Sequence, residues 1–229
     1  AVQGSPGHDN GVEARTEILA RSNTPHGEIA LRRRGDVIEL IVNGVFAMDS
    51  TQVTSEVDLA DAAGERPGVV VVGGLGLGYT AARLLANGAR FVHVVELARP
   101  LIDWAVAGVT EQLQLVAHDP RVRLHHADIA EWLPRREESF DAILLDVDNG
   151  PGFLIHDHNA RVYAADWLAS AVDRLAPGGV LVIWCESPSP DLALALAALG
   201  EVTERVVTVE REGRIFDYAL YLLRRDDTS

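Results

Sequence analysis

The chain has 229 residues, 34 acidic against 20 basic side chains, a formal charge of −14, 48% hydrophobic residues and one cysteine. Such a charge repels phosphate backbones and argues against general nucleic-acid binding; an acidic surface favours solubility and attracts a cationic small molecule. Cys185 alone cannot close an intramolecular disulfide and fits a reducing cytoplasm. No apolar run reaches the roughly 18 residues of a membrane helix, and residues 1–26 lack the charged-then-apolar pattern of a leader.

In chain order, residues 1–26 carry Gly, Ser, Pro, Asn and His without periodicity and are expected to be mobile, with EARTEILARS as a short helix at most. Two β-like runs follow, EIALRRR and VIELIVNGVFAM, separated by Gly35-Asp36 and interrupted by the hairpin pair Asn43-Gly44. They predict a small antiparallel β unit over residues 27–60. From residue 61 to 229 the pattern becomes alternation of strand and helix. VVVV is a strand, YTAARLLANG a helix ended by Gly88, FVHVVEL a strand, and PLIDWAVAGVTEQLQL a helix opened by Pro100. VRLHHAD, FDAILLDVD and GVLVIWCE are further strands. IAEWLP, ARVYAADWLASAVDRLA and DLALALAAL are the helices between and after them, and ERVVTVE with IFDYALYLLRR closes the chain as an antiparallel pair. Repeated βα units imply a mostly parallel sheet covered on both faces, a Rossmann-like α/β fold.

Ligands of open α/β sheets bind beyond the carboxyl ends of the strands. The first strand runs into Gly74-Leu75-Gly76-Leu77-Gly78, where glycines permit a sharp turn and close approach of a ligand, and the next helix aims free N–H groups at it. The second strand ends at Glu96-Leu97, an acid placed to accept hydrogen bonds from ribose hydroxyls. The third ends at Asp128-Ile129, an acid that accepts either from an adenine amino group or, as an N-cap, from its own helix. The fourth ends at Asp146 and Asp148, where a substrate would meet the nucleotide. His156 and His158 follow in LIHDHNARVY, a segment long enough to cover the site, and are candidate general bases. No metal site is expected, because the His-Asp-His spacing lacks further ligands. His125-His126 are read as structural, as are Trp104, Trp132 and Trp167; Trp184 ends a strand close to the site. The loop reads G-x-G-x-G rather than the G-x-G-x-x-G of dinucleotide sites, and this points away from NAD toward S-adenosylmethionine (AdoMet).

VVVVGGLGLG, VVEL with Glu96, DPRVRLHHAD, SFDAILLDVDNGPG and LAPGGVLVIW together resemble the spermidine synthase-like branch of the class I AdoMet-dependent transferases, over residues 28 to 225. The resemblance implies that family's fold, a small N-terminal β domain ahead of the Rossmann-like domain, and AdoMet or decarboxylated AdoMet as cofactor. Three departures accompany it. The family's GGGDGG loop carries an Asp implied to hold the ammonium of decarboxylated AdoMet, and its position here is Gly76. Of the family's Tyr-His-Glu stretch, Thr54-Ser55-Glu56 keeps only Glu56. The D-x-x-D pair becomes Asp146-Val147-Asp148-Asn149.

Loss of acids weakens aminopropyl transfer, which needs a base and carboxylates that seat cationic amines. It leaves room for methyl transfer, which is chiefly positioning for in-line attack. The expectation is therefore an AdoMet-dependent methyltransferase acting on a small, cationic acceptor. Its catalytic set is Asp146, Asp148, His156 and His158, and its cofactor set is Gly74, Leu75, Gly76, Gly78, Glu96, Leu97, Asp128, Ile129 and Asp146. An aminopropyltransferase with an altered polyamine site and a non-catalytic binding protein are the alternatives. A homodimer through an edge of the β unit is also expected, with neither nucleic acid nor membrane as partner.

Overall fold

The computed structural model describes residues 15–147, 157–211 and 214–227. Four strands open it: β1 (Thr16–Thr24), β2 (Gly27–Arg34), β3 (Val37–Val42) and β4 (Val45–Asp49), paired antiparallel in that order. Asn43 and Gly44 both adopt positive φ, the conformation that a two-residue hairpin turn demands. The stretch expected to be mobile or helical instead supplies β1, which pairs with β2 from Thr16↔Arg34 to Thr24↔Gly27. Strand pairing and the β2 template outweigh the weak local pattern of this segment.

Helix α1 (Thr54–Asp61) leads to β5 (Val69–Gly73) and α2 (Tyr79–Ala86), then β6 (Phe91–Glu96). The predicted helix from Pro100 onward is broken into α3 (Arg99–Ala107) and α4 (Glu111–His118). Gly108 ends α3 in a left-handed conformation, and the Thr110 hydroxyl caps α4 by accepting from the Leu113 N–H. Next come β7 (Val122–His126), α5 (Ile129–Trp132), β8 (Phe140–Leu145), a 3-10 segment (Asp157–Tyr163) and α6 (Ala165–Asp173). The chain ends with β9 (Leu175–Cys185), α7 (Pro190–Ala197), β10 (Val202–Arg211) and β11 (Arg214–Arg224). No described helix is long and apolar enough to cross a membrane.

The seven-stranded sheet runs β10-β11-β9-β8-β5-β6-β7. Its β9-β8-β5-β6-β7 part is parallel, and β11 enters antiparallel between β9 and β10. The side chains of β5 alternate between two cores. Val70 and Val72 pack with α1 to α4 and with Ile29, Leu31 and Leu40 of the small sheet, whereas Val71 packs with Ile143, Trp167 and Leu168 on the other face. Burial on both faces explains the unbroken valine run. It also places the small sheet over one face, close to the carboxyl ends of β5 and β6.

Alternation along β7 leaves His126 exposed and turns His125 inward, where its ring lies 2.9 Å (Nε2) from His93 Nδ1 and against Trp132. Burial, the neighbouring His93 and the Arg123 and Arg136 charges push His125 down to about 4, against a weaker pull from Glu138. A base whose pKa falls on folding takes up more protons when unfolded, so native stability falls as pH drops from about 6.5 toward 4. His125→Gln is expected to flatten that acid limb by about 1–2 kcal/mol, discounted for partial exposure, as read by urea denaturation at pH 4.5 and 7.5.

Candidate active site

The carboxyl ends of β5, β6, β7 and β8 face one cavity of about 410 Å3, roofed by the small sheet and closed on its far side by β9, β10 and β11. The glycine loop fits its floor closely. Gly74 has φ +97°, and a Cβ there would lie 2.5 Å from the Asp146 carbonyl oxygen; at Gly76, φ is +52° and a Cβ would lie 2.8 Å from Met48 Sδ. Gly74→Ala therefore meets both backbone strain and a backbone atom that cannot move aside. It is expected to cost about 2–4 kcal/mol of stability, measured by denaturant unfolding.

Glu96 is buried at the end of β6 and ties this loop down. Its Oε2 accepts from the Leu75 N–H at 2.8 Å and its Oε1 from the Ala98 N–H at 2.7 Å. Burial raises its pKa, while the N–H groups of Leu75, Ala98 and Leu97 and the nearby His126 pull it down. With three N–H groups on four lone-pair sites, the carboxylate retains capacity for one more donor. Glu96 can thus anchor the loop and still accept from a ribose hydroxyl. The Asp128 carboxylate caps α5, accepting from the Ala130 N–H at 2.8 Å, and its Oδ2 lies 3.6 Å from Arg161 Nη1. The two readings of this acid are compatible, since it caps the helix and also lines the cavity. Val95, Leu97, Leu101 and Ile129 supply the apolar walls between these acids.

Asp146 sits just beyond β8, its N–H donating to the Gly73 carbonyl at 3.1 Å. Desolvation and the negative charge of Glu56 raise its carboxyl to about 7. Glu56 comes from α1, is buried, and accepts from the Ser55 hydroxyl at 2.6 Å. Asn159, also buried, donates from Nδ2 to the Val147 carbonyl at 3.2 Å. The structure therefore brings Gly74, Gly76, Glu96, Leu97, Asp128, Ile129 and Asp146 to one cavity; Leu75 acts through its N–H to Glu96, and Gly78 opens α2. Asp148 and His156 lie outside the described residues. His158 falls in the 3-10 segment, with its side chain outside the description.

Several lining residues carry no sequence signal of their own. Met48, Leu101 and Phe46 look like ordinary strand and helix positions, and Val209, Phe216 and Tyr218 come from the C-terminal pair. Trp184 lines the cavity, in keeping with its place at a strand end. Tyr218 is fixed by a hydrogen bond from its hydroxyl to Asp58 Oδ2.

No protein-family model matches the chain. A polyamine aminopropyltransferase of Nitrosomonas europaea is 31% identical over 204 residues, which are 82% of this chain and 59% of that protein. One of Mycobacterium tuberculosis is 28% identical over 178 residues, 75% of this chain and 33% of that protein. The chain thus spans between about a third and three fifths of the length of these relatives. A ribosomal RNA large subunit methyltransferase K/L of Pseudomonas entomophila is 35% identical, but only over 100 residues, 42% of this chain and 13% of that protein. Among solved structures, a spermidine synthase in complex with the transition state analogue AdoDATO superposes with a TM-score of 0.74 at 17% identity, covering 91% of this chain and 73% of that one. Spermidine synthase from Thermotoga maritima gives 0.73 at 16% identity, covering 91% and 72%. The long matches are to aminopropyltransferases, so the expectation of methyl transfer loses its place to the aminopropyl alternative. In fold and in sequence the chain resembles the spermidine synthase-like branch of the class I AdoMet-dependent transferases.

Proposed function

We propose that this chain is a transferase that moves an aminopropyl group from decarboxylated AdoMet to the amine of a small, cationic acceptor. The observation that carries the reading is that two acids, the desolvated Asp146 and the buried Glu56, line one cavity, beside a glycine loop and an acid suited to a nucleoside. When bound, the donor supplies a sulfonium whose adjacent carbon is open to attack by an amine lone pair, the carbon–sulfur bond breaking with its electrons returning to sulfur. Glu96 would accept from the ribose, Asp128 from the adenine amino group, and Leu97 and Ile129 would flank the base. Glu56 and Asp146 would draw in the ammonium of the acceptor, and Asp146, held at about 7, would take the proton that the amine must lose. Both steps use the desolvated charge of this pair, which is worth more here than in water.

Methyl transfer is the second reading, and one observation favours it. The space beside Gly76 is occupied by the Met48 thioether, so the loop offers no carboxylate to the ammonium of a decarboxylated donor. Incubation of the protein with each donor and a mixed panel of amines separates the readings by product. Methylthioadenosine is expected from the decarboxylated donor; S-adenosylhomocysteine from AdoMet instead would carry the second reading, and neither product would overturn both.

A further inference from the structure

We infer that Tyr218 is a positioning residue: by donating its hydroxyl to Asp58 it holds α1 against β11, and so keeps Glu56 of the same helix in place beside Asp146. The inference rests on the proposed reading of Glu56 and Asp146 as the amine site and deepens it.

Helix α1 has few ties of its own. It is eight residues long, its N-cap Val53 makes no side-chain cap, and its last turn carries no basic residue. Isolated helices this short do not persist in water, so its place is set by what it touches. Three of its eight residues are acids, Glu56, Asp58 and Asp61. Glu56 accepts from Ser55 on the same helix. Asp61 accepts from Arg83 Nε and Nη2 at 2.7 and 2.9 Å and from Asn87 Nδ2 at 2.8 Å, which tie α1 to α2. Asp58 Oδ2 accepts from the hydroxyl of Tyr218, 160 residues further along the chain on β11. At about 100° per residue, Asp58 and Asp61 leave the helix on the side away from Glu56. Their exposure agrees, since Glu56 is buried, Asp58 half-buried and Asp61 exposed. Each tie therefore acts on Glu56 through the helix.

The Tyr218 tie is the one at the cavity. Tyr218 is buried, lines the cavity together with Glu56 and Asp146, and lies beside Trp184, their ring centroids 6.3 Å apart. Burial and its bond to Asp58, with the charges of Asp58 and Glu56, raise the pKa of the phenol, so it remains a donor across the neutral range. Among the described residues no Arg or Lys lines the cavity. An Asp58 deprived of the hydroxyl would turn toward water, the donor that remains, and α1 would turn with it and carry Glu56 away from Asp146. The consequence is read at Asp146, which burial and the Glu56 charge raise to about 7. Besides Tyr218, the other described titratable side chains that line the cavity are His26, Asp49, Glu96, Asp128 and Glu186.

The test is a carbon-13 NMR titration of the aspartate carboxyls of the whole chain, with the Asp146 signal assigned by its absence in Asp146→Asn. Tyr218→Phe keeps the ring and loses only the donor; Asp58→Ala loses the acceptor. Both are expected to lower the Asp146 midpoint by about 0.5 pH units or more, in the direction of Glu56→Gln. Asp58→Asn, whose carbonyl oxygen still accepts from Tyr218, is expected to leave it within about 0.2. In a Glu56→Gln background Tyr218→Phe is expected to add no further shift, the mark of action through Glu56. An Asp146 midpoint unmoved by Tyr218→Phe or by Asp58→Ala would overturn the inference. A shift in Asp58→Asn as large as in Asp58→Ala would overturn it too, by assigning the effect to charge, as would full additivity with Glu56→Gln. The titration needs no turnover, so product formation judges the proposed function separately: midpoints that move as expected, with no product from either donor, sink the transferase reading and leave the positioning role standing.

Discussion

Asp146→Asn is expected to lower turnover by about 10²- to 10⁴-fold, the range that a positioned general base contributes, while donor binding measured by calorimetry stays within about threefold. The amide keeps the size of the side chain and its neighbours, but it can neither take a proton nor balance an ammonium. The pH profile carries the sharper test. Asp146 acts when ionised and is held at about 7, so turnover is expected to rise with pH through that region and to fall on the acid side. Glu56 supplies the repulsion that helps to hold it there. Glu56→Gln is therefore expected to move the acid limb to lower pH, even as it weakens attraction for a cationic acceptor and raises KM. An acid limb that stays in place in Glu56→Gln would show that another group limits the rate.

Stability provides a second readout of the same carboxyl, and the sign is opposite to that of a salt-bridged acid. A carboxyl raised above its unfolded value binds more protons in the native state across the interval between about 4 and 7, so its ionisation costs stability as pH rises through that window. Asp146→Asn should be more stable than the parent chain at pH 8, by roughly 1–3 kcal/mol, and equal to it near pH 4. Activity and stability are expected to move in opposite directions at this residue, as they do where a site holds groups in strained electrostatic company.

Much of this architecture can be read from the residues because its signals are local. The valine run, the glycine loop and an acid at each strand end follow from periodicity and turn chemistry. Those features located Glu96, Asp128 and Asp146 around one nucleotide-sized cavity. What escaped the sequence depends on pairing at a distance. Strand β1 lacks a pattern of its own and exists because β2 offers it a ladder. The break between α3 and α4 turns on one left-handed glycine inside an otherwise helical run. Met48 beside Gly76, and Val209 and Phe216 on the far wall, reach the cavity only because the small sheet and the C-terminal hairpin fold back over it. The choice between methyl and aminopropyl transfer was drawn from residues missing from a motif. The acids that the fold gathers, Glu56 with Asp146, are separated by most of the Rossmann-like domain's first half, and no local window contains both.

Glu96→Ala is expected to have the largest effect on donor binding, a loss of about 10²- to 10⁴-fold, since two hydrogen bonds to a charged acceptor are each worth about 1.5–3 kcal/mol. The same carboxylate also holds the Leu75 and Ala98 N–H groups at 2.8 and 2.7 Å, and these would be left without an acceptor in a closed site. A drop in native stability of about 1–3 kcal/mol should therefore accompany the binding loss. Glu96→Gln separates the two roles. Its single carbonyl oxygen can satisfy one of the N–H groups, but its NH2 faces the other donor, so the loop is expected to loosen less than in Glu96→Ala while donor affinity still falls. Calorimetry with methylthioadenosine and S-adenosylhomocysteine, run beside urea denaturation of both variants, measures each quantity independently. A stable Glu96→Gln that binds both nucleosides as the parent chain does would remove Glu96 from the ribose and leave it as the anchor of the glycine loop alone. Affinity lost for both nucleosides to the same degree would place the contact on the part they share, the adenosine, and not on the tail that distinguishes one donor from the other.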